Sequence, residues 1–284
     1  MQDFDKLWNY HQPAETEKKF RELLDGIDGS SGYQLELQTQ IARTYSLRGM
    51  FDEAHTLLNA TEKLLPESSI TAHIRYHLER GRTYNSSGNK PDARLHFEQA
   101  FALAQQLKQD SYAIDALHML AIVAKPEEAI SINEQALLLA EKSEQEQAKN
   151  WLGSLYNNLG WSYFDLQEYE KALSIFLRAL QWREEKKSAS EIFLAKWCVA
   201  RTLRALNKVE QAITIQLGLL EEMIESNKPD GYVYEELGEL YLLKNEELYK
   251  MYFGLALKEL SEDKWLCKNE PKRLERMKSL SDLV

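Results

Sequence analysis

A small residue recurs along this chain at nearly constant spacing, and this repeat constrains the fold more than any other feature. Successive copies of the small residue are separated by 39, 40, 39, 40 and 38 residues. Self-similarity with a period of about 20–50 residues is typical of solenoid proteins, whose units bury their apolar faces only against one another. The six small residues are Ala42, Gly81, Ala121, Gly160, Ala200 and Gly238.

The clearest copy, residues 156–180, indicates two helices joined by a short turn. Its pattern consists of Tyr156, Leu159, Gly160, Tyr163, Ala172, Phe176 and Ala179. It resembles the signature of the tetratricopeptide repeat, in which an aromatic residue, Leu-Gly and Tyr are followed by Ala-x3-Phe-x2-Ala. We expect Gly160 and Ala172 to mark a close crossing of the two helices, with aromatic rings filling the space around it.

The other copies repeat parts of this pattern, and the copy around Ala121 departs from it most. Only 8 residues, instead of 12, separate Ala121 from the next small position, Ala129. The missing residues amount to about one helical turn. We therefore expect a shortened first helix that ends before Pro126, a residue suited to the start of the next helix.

The mean period of about 39 residues exceeds the roughly 34 of the standard unit. The resemblance is therefore to long-helix members of the tetratricopeptide family, such as kinesin light chains and bacterial peptide-sensing regulators. Segments such as WLGSLYNNLGW also resemble a bacterial subgroup to which we attach no function. The resemblance implies an all-α, right-handed superhelical solenoid of about six helix pairs over residues 33–260. We expect one domain, residues 1–284, with the repeats between an N-terminal helical cap (1–32) and a C-terminal cap (261–284).

Both caps are predicted to be helical. In the N-terminal cap, a short helix should precede an amphipathic helix that begins at Pro13 and carries Phe20, and the glycine-rich residues 26–32 should separate it from the repeats. In the C-terminal cap, a capping helix should place Leu274, Met277 and Leu280 on one stripe. The Lys and Arg side chains of that helix are expected on a solvated outer face.

The charge balance argues against polyanionic partners. The chain has 45 acidic and 35 basic residues, a formal net charge of −10, which repels nucleic acid and anionic membranes at long range. The N-terminus lacks the basic start and apolar stretch of a signal peptide, and no apolar run of about 18 residues occurs. Cys198 and Cys267 belong to no motif and are expected as reduced thiols. We therefore predict a cytoplasmic protein.

No motif for catalysis or for a cofactor stands out. The sequence contains no G-x-S-x-G, no P-loop and no dinucleotide-binding glycine pattern. His73 and His77 share a helix face, but His77 takes the position of Tyr156 in the clear copy, which favours packing over metal binding. Cys198 lies inside a helical repeat, where buried thiols are usually inert. The sequence predicts no catalytic residue, no metal site and no cofactor, and hence a protein that is not an enzyme.

The resemblance also implies a binding surface. In the family, the first helix of each pair lines a concave groove for extended peptides or helices, and the residue after each small position points toward it. Residues four before and three after share that stripe of an α-helix. The candidate partner-binding residues are Arg43, Arg82, Asn85, Asn157, Trp161, Trp197, Arg201 and Arg204.

The composition of this stripe predicts an acidic ligand. Four of these eight residues are arginines and two are tryptophans, residue types that are enriched at binding hot spots. We expect the groove to bind an acidic or carboxylate-bearing segment, with Trp161 and Trp197 as anchors. The alternative is that the arginines pair with acidic residues of neighbouring helices, while the tryptophans pack between repeats.

The leading functional prediction is a non-catalytic scaffold that binds a protein or peptide. A signalling regulator that senses a peptide or a small ligand is the main alternative. A homo-oligomer whose groove is filled by its own termini is another. An enzyme would require a pocket with strongly perturbed titratable groups.

Overall fold

Helices and short turns form the whole of the described structure. The computed structural model describes residues 3–26 and 31–281. Within these ranges the chain forms one short 3₁₀ helix and 16 α-helices, and no strand. Residues 1–2, 27–30 and 282–284 belong to the predicted caps and the glycine-rich separator, and they lie outside the described residues.

The order of the helices confirms an all-α helical-repeat fold. The 3₁₀ helix Phe4–Leu7 and α1 (Pro13–Asp25) come first. Three helix pairs follow: α2 (Gly32–Leu47) with α3 (Phe51–Glu62), α4 (Ile70–Ser86) with α5 (Lys90–Gln106), and α6 (Asp110–Val123) with α7 (Pro126–Lys142). After α8 (Glu146–Lys149) come α9 (Leu152–Asp165) with α10 (Tyr169–Lys186), α11 (Ala189–Ala205) with α12 (Val209–Ser226), and α13 (Gly231–Leu243) with α14 (Leu248–Leu260). The described chain ends with α15 (Lys264–Asn269) and α16 (Pro271–Leu280).

By its internal contacts the chain divides into two compact units, Met1–Leu155 (unit 1) and Tyr156–Val284 (unit 2). Each unit has its own apolar core. A core cluster of unit 1 contains Phe4, Phe20, Leu37 and Ile41, and one of unit 2 contains Phe253, Ala256, Leu260, Leu266 and Met277. The single domain over residues 1–284 stays a prediction.

In the helix pairs whose small residue is glycine, a phenylalanine ring packs directly against it. A Cβ atom added at Gly160 would lie 2.4 Å from Cε1 of Phe176, and one added at Gly81 would lie 2.5 Å from Cε1 of Phe97. Both rings are buried. The close crossing predicted at Gly160 is confirmed, because the ring occupies the space that a larger side chain would need.

The turn inside a helix pair also repeats. In five pairs a residue between the two helices adopts the left-handed conformation: Gly49, Gly88, Gln167, Asn207 and Asn245. Glycine adopts this conformation freely and asparagine tolerates it. The pair α6–α7 instead has a shorter connection, since α6 ends at Val123 and α7 begins at Pro126. The first helix ends before Pro126 as predicted, because α6 stops soon after Ala121, whereas α9 continues from Gly160 to Asp165.

The prediction that the basic residues of α16 lie on a solvated outer face holds for Lys272 and Lys278, which are exposed, whereas the two arginines contact α13. Arg273 donates two hydrogen bonds to Glu235 of α13, with Nε 2.7 Å from Oε1 and Nη2 2.6 Å from Oε2. Arg276 donates to Glu239, with Nη2 3.0 Å from Oε2. These arginines hold α16 against α13, because the α13 carboxylates lie one turn apart on the side that α16 covers.

Replacing Gly160 by alanine should destabilise the protein, although alanine is the better helix former by about 1 kcal/mol. Overpacking a core costs about 1–3 kcal/mol, and the new Cβ would lie 2.4 Å from the Phe176 ring. In the control Gly218→Ala, no described atom outside the local helix backbone lies within 4 Å of the new Cβ, so this variant should be more stable than wild type. Urea unfolding followed by circular dichroism measures both, and a Gly160→Ala variant as stable as Gly218→Ala would contradict the crossing.

Candidate functional site

Unit 1 contains a cleft of about 930 Å³ on the side formed by its first helices. This volume lies within the usual range of ligand sites, about 300–1,000 Å³. Residues from the N-terminal segment, α2, α4, α6 and the region of α8 line it. We call it the unit 1 cleft, and its central residues are Gln40, Arg43, Arg75, Glu79, Arg82, Asp115 and Trp151.

Helical periodicity brings these side chains onto one face. On α4, Arg75, Glu79 and Arg82 follow each other at spacings of four and three residues, so they share a stripe. The repeat spacing predicted Arg82 at this site but did not identify Arg75 or Glu79. Extending the stripe by one more turn toward the start of α4 would have found Arg75.

Glu79 is the centre of a charge cluster in the cleft. It is 4% exposed, and its Oε1 accepts hydrogen bonds from Arg82 Nη1 at 2.7 Å and Gln40 Nε2 at 3.2 Å. Arg43 Nε lies 3.7 Å from Glu79 Oε2, and Arg82 also donates to Asp115. The cluster therefore links α2, α4 and α6 through charges shielded from solvent.

The two predicted arginines of the cleft differ in how well their charge is compensated. Burial tends to lower the pKa of Arg82, but the Asp115 and Glu79 carboxylates outweigh it, so that the pKa is raised. For Arg43 burial prevails and the pKa is lowered, since the Glu79 contact spans 3.7 Å and Arg82 opposes its charge. A further carboxylate would therefore be stabilised more at Arg43 than at Arg82.

Arg75 is held from two sides. Asp5 accepts hydrogen bonds from both of its terminal nitrogens, with Nη1 3.0 Å from Oδ1, and Glu36 Oε2 lies 3.1 Å from Nε. The rings of Phe4 and Tyr112 have centroids 5.0 and 5.3 Å from Arg75 Cζ, within cation–π range. The first residues of the chain thus contact the first-helix face of unit 1.

Aromatic rings add planar surface to the cleft. Trp8 and Tyr10 stack with centroids 4.8 Å apart and an angle of 5°, and Trp8 Nε1 donates to Gln40 Oε1 at 3.1 Å. Near α8, the ring of Trp151 lies 5.6 Å from that of His118. Charged groups beside flat apolar surface suit the recognition of peptide-like ligands.

In unit 2, the predicted tryptophans lie close together. The ring centroid of Trp161 lies 6.1 Å from that of Trp197 and 5.2 Å from that of Phe164. Arg201 Cζ lies 5.6 Å from the Phe164 centroid and 5.6 Å from the Trp197 centroid. All four side chains are half-buried. We call these four residues the unit 2 aromatic face.

Glu236 of α13 pairs with both predicted arginines of unit 2. It is 1% exposed. Arg204 Nε lies 2.7 Å from its Oε2 and Arg204 Nη2 lies 2.9 Å from its Oε1, and Arg201 donates to the same Oε1. Glu79 and Glu236 both stand two residues before the small position of their repeat. The sequence analysis missed both, and this shared repeat position is the signal that identifies them.

Two predicted binding residues remain, Asn85 and Asn157. Asn85 on α4 and Asn157 on α9 are half-buried, and Asn85 is not among the residues that line the unit 1 cleft. The structure places Arg43 and Arg82 together in unit 1, and Trp161, Trp197, Arg201 and Arg204 together in unit 2.

The described residues offer little for metal or nucleophile chemistry. In residues 3–26 and 31–281, no group of three or more His, Cys, Asp or Glu side chains is placed to hold a metal ion. His77 lies between α4 and α5 with its Nδ1 2.9 Å from Nδ1 of His96, and burial and His96 lower the pKa of His77 to about 4. Burial raises the pKa of the Cys198 thiol to about 12, and both cysteines are free. Among the helices described, none has both the length and the apolar character needed to cross a membrane.

The repeat that contains Gly160 also matches a known family. Residues 153–186 match the family described as Tetratricopeptide repeat. Residues 153–186 of the chain thus form a tetratricopeptide repeat. No match was found among the curated proteins compared with it.

Several solved structures resemble the chain. A signal transduction ATPase with numerous domains, which has a tetratricopeptide repeat sensor and comes from Pyrococcus horikoshii, is 17% identical with a TM-score of 0.74 over 93% of this chain and 41% of that one. This chain thus spans about two fifths of that protein. The apo form of RapI is 14% identical with a TM-score of 0.76, over 96% of this chain and 78% of its own. The apo form of the quorum sensor NprR from B. thuringiensis is 16% identical with a TM-score of 0.57, over 96% and 82%. At these identities the likeness shows the fold alone.

Replacing Glu79 by alanine should lower the free energy of unfolding by about 3 kcal/mol, because removing one partner of a buried ion pair leaves uncompensated charge. The control is Glu247→Ala, which removes the exposed partner of Lys250 and should cost less than about 0.5 kcal/mol. Urea unfolding measures both. A loss at Glu79 no larger than at Glu247 would show that the cluster does not link the helices.

Proposed function

We propose that this tetratricopeptide-repeat protein is a non-catalytic module that binds a protein or peptide on the first-helix faces of its repeats. The observation that carries the proposal is the unit 1 cleft, a recess of about 930 Å³ in which guanidinium groups and aromatic rings project from packed helices. Recesses with a few placed polar groups and large flat side chains are suited to recognition. The unit 2 aromatic face offers a second surface of the same chemical character.

The proposed ligand is an acidic or carboxylate-bearing segment. In unit 1 the incompletely compensated Arg43 supports this, because the Glu79 carboxylate lies as far as 3.7 Å from its Nε. In unit 2, Arg201 lies against two aromatic rings, while Arg204 already donates two hydrogen bonds to Glu236. A guanidinium has five N–H donors, so one that is paired within the chain still has donors for a ligand.

The arginines have a structural role as well, and the two roles are compatible. Arg82 pairs with Glu79 within α4, and Arg204 of α11 pairs with Glu236 of α13, which holds in place the carboxylates that Arg43 and Arg201 also contact. A rigid supporting layer of this kind reduces the entropy lost on binding. The arginines most closely paired within the chain would therefore support the binding residues rather than contact the ligand.

The proposal includes neither a catalytic step nor a cofactor. The buried, neutral thiol of Cys198 supports a non-catalytic role. The net charge of −10 disfavours nucleic acid and anionic membranes as partners, and the two free cysteines fit a reducing, cytoplasmic location.

A regulator that senses a peptide or a small ligand is the second candidate. Two similar structures are described as a tetratricopeptide repeat sensor and as a quorum sensor. A sensor must change its conformational equilibrium on binding, whereas a scaffold need not. Small-angle X-ray scattering of the full chain should show a changed radius of gyration on ligand addition for a sensor, and an unchanged radius for a scaffold.

Peptide arrays probed with the full-length protein test the proposed function. Peptides of about 12 residues would vary in net charge and aromatic content, and we expect the retained ones to be acidic. Arg43→Gln and Arg201→Gln should each weaken binding about tenfold, the effect of losing one charge-assisted hydrogen bond. Both variants leave the buried carboxylates paired, since Glu79 keeps Arg82 and Glu236 keeps Arg204.

The matched control is Arg94→Gln on α5. Its guanidinium pairs with Glu98 and Glu128 on second helices, and it does not line the unit 1 cleft. Retention of peptides without regard to their charge would contradict the proposal, as would an Arg94→Gln loss equal to that of Arg43→Gln and Arg201→Gln.

A further inference from the structure

The first residues of the chain occupy one side of the unit 1 cleft. Four residues of the segment 3–10 line it: Asp3, Asp5, Trp8 and Tyr10. We call this segment the N-terminal strap. It consists of the 3₁₀ helix Phe4–Leu7 and the residues that flank it. Its contacts reach α2 and α4, 32 and 70 residues further along the chain.

The strap uses the kind of contact that a bound peptide would use. The Asp5 carboxylate accepts hydrogen bonds from both terminal nitrogens of Arg75, and the Trp8 indole donates to the Gln40 side chain at 3.1 Å. Such a carboxylate–guanidinium fork fixes orientation as well as position. The strap therefore presents an acidic group and an aromatic group, three residues apart, to the first-helix face.

The anchoring side chains Asp5 and Trp8 are partly exposed to solvent, so a competing ligand can reach and displace them. The Asp5 side chain is 48% exposed, and Tyr10 is 64% exposed. Arg75, the partner of Asp5, is only 11% exposed. When the pair separates, water solvates Asp5, and Arg75 keeps Glu36 3.1 Å from its Nε. By contrast, Phe4 is 4% exposed and packs at 6.1 Å from Phe20 and 5.2 Å from Tyr33, so it acts as the latch of the strap.

Asn9 ties the end of the strap to Thr16 of α1, so the residues before Asn9 can leave the cleft while α1 stays folded. The Asn9 backbone N–H donates to Thr16 Oγ1 at 3.0 Å, and Thr16 Oγ1 lies 3.2 Å from the Asn9 carbonyl oxygen. Arg75 would also stay in position, because Glu36 lies 3.1 Å from its Nε and does not belong to the strap. The site that the strap covers is thus preorganised for another carboxylate.

We propose that the N-terminal strap is a displaceable internal ligand of the unit 1 cleft, and that its anchors define the external ligand. That ligand is a peptide with a carboxylate for Arg75 and an indole or similar ring for Gln40, about three residues apart. This inference rests on the proposed function of the cleft. The strap lowers the apparent affinity for such peptides, since they must displace Asp5 and Trp8 before they bind.

The probe for this proposal is a fluorescein-labelled synthetic peptide of residues 3–12, DFDKLWNYHQ. Its binding to full-length protein is followed by fluorescence anisotropy. The wild type, in which the strap occupies its own site, should bind weakly. The latch variant Phe4→Ala should bind the peptide at least about tenfold more tightly, because the strap no longer competes effectively. Adding Arg75→Gln to Phe4→Ala, or using the peptide with Asp5→Lys, should remove that gain.

A second variant protects the test against misfolding. Asp5→Lys in the full chain removes the carboxylate anchor and leaves Phe4 buried, and circular dichroism confirms that each variant is folded. It should likewise bind the unaltered peptide more tightly than wild type. Equal affinity of wild type and both variants would overturn the proposal, as would equal affinity for the unaltered and Asp5→Lys peptides. If the array result with Arg43→Gln still held, the proposed function would stand and only the strap would be rejected.

Discussion

In the helix pairs whose small residue is glycine, the two helices cross closely where that glycine meets a phenylalanine ring. The contact occurs between Gly81 and Phe97 in unit 1 and between Gly160 and Phe176 in unit 2, and an added Cβ would lie 2.5 and 2.4 Å from those rings. Because interiors pack at near-crystalline density, such a contact leaves little freedom in how the two helices lie against each other. The orientation of each first helix, and therefore the residues on its open face, follows from this contact.

The charge network follows from that orientation. Glu79 and Glu236 occupy the same position of their repeats and are both almost fully buried. Arginines of the same or the preceding first helix neutralise them, Arg82 and Arg43 in one case and Arg204 and Arg201 in the other. In unit 1, Arg82 lies 2.7 Å and Arg43 3.7 Å from the carboxylate. In unit 2, Arg204 donates two hydrogen bonds to the carboxylate and Arg201 donates one. The proposed function assigns ligand binding to Arg43 and Arg201 and support of the face to Arg82 and Arg204.

Much of the fold could be predicted from the sequence because its cause is local and periodic. The small positions, the early end of α6 and the helix starts at Pro13 and Pro126 each follow from residue type and spacing. The predicted Arg43 and Arg82 do lie in the unit 1 cleft, and Trp161 and Trp197 do lie together. Periodicity predicts these features because it determines which residues share a face of a helix.

The rest of the site depends on contacts that periodicity does not specify. Asp5 reaches Arg75 across 70 residues of sequence from an irregular segment, and Trp8 reaches Gln40 in the same way. No repeat pattern predicts where such a segment lies. The prediction of a solvated Arg273 on α16 was wrong for a related reason, since only the packed structure shows that Glu235 lies beside it. The paired state of the arginines likewise became clear only once the helices were in place.

Hydrogen–deuterium exchange of the full-length protein, with and without a saturating acidic peptide, tests the central claim most directly. Exchange in helices slows where ligand binding suppresses local opening. The account predicts slower exchange in α2 and α4 around Gln40–Arg43 and Leu78–Arg82, together with faster exchange in the N-terminal strap as it is displaced. Protection confined to the second helices α3 and α5, with the strap and first helices unchanged, would contradict it.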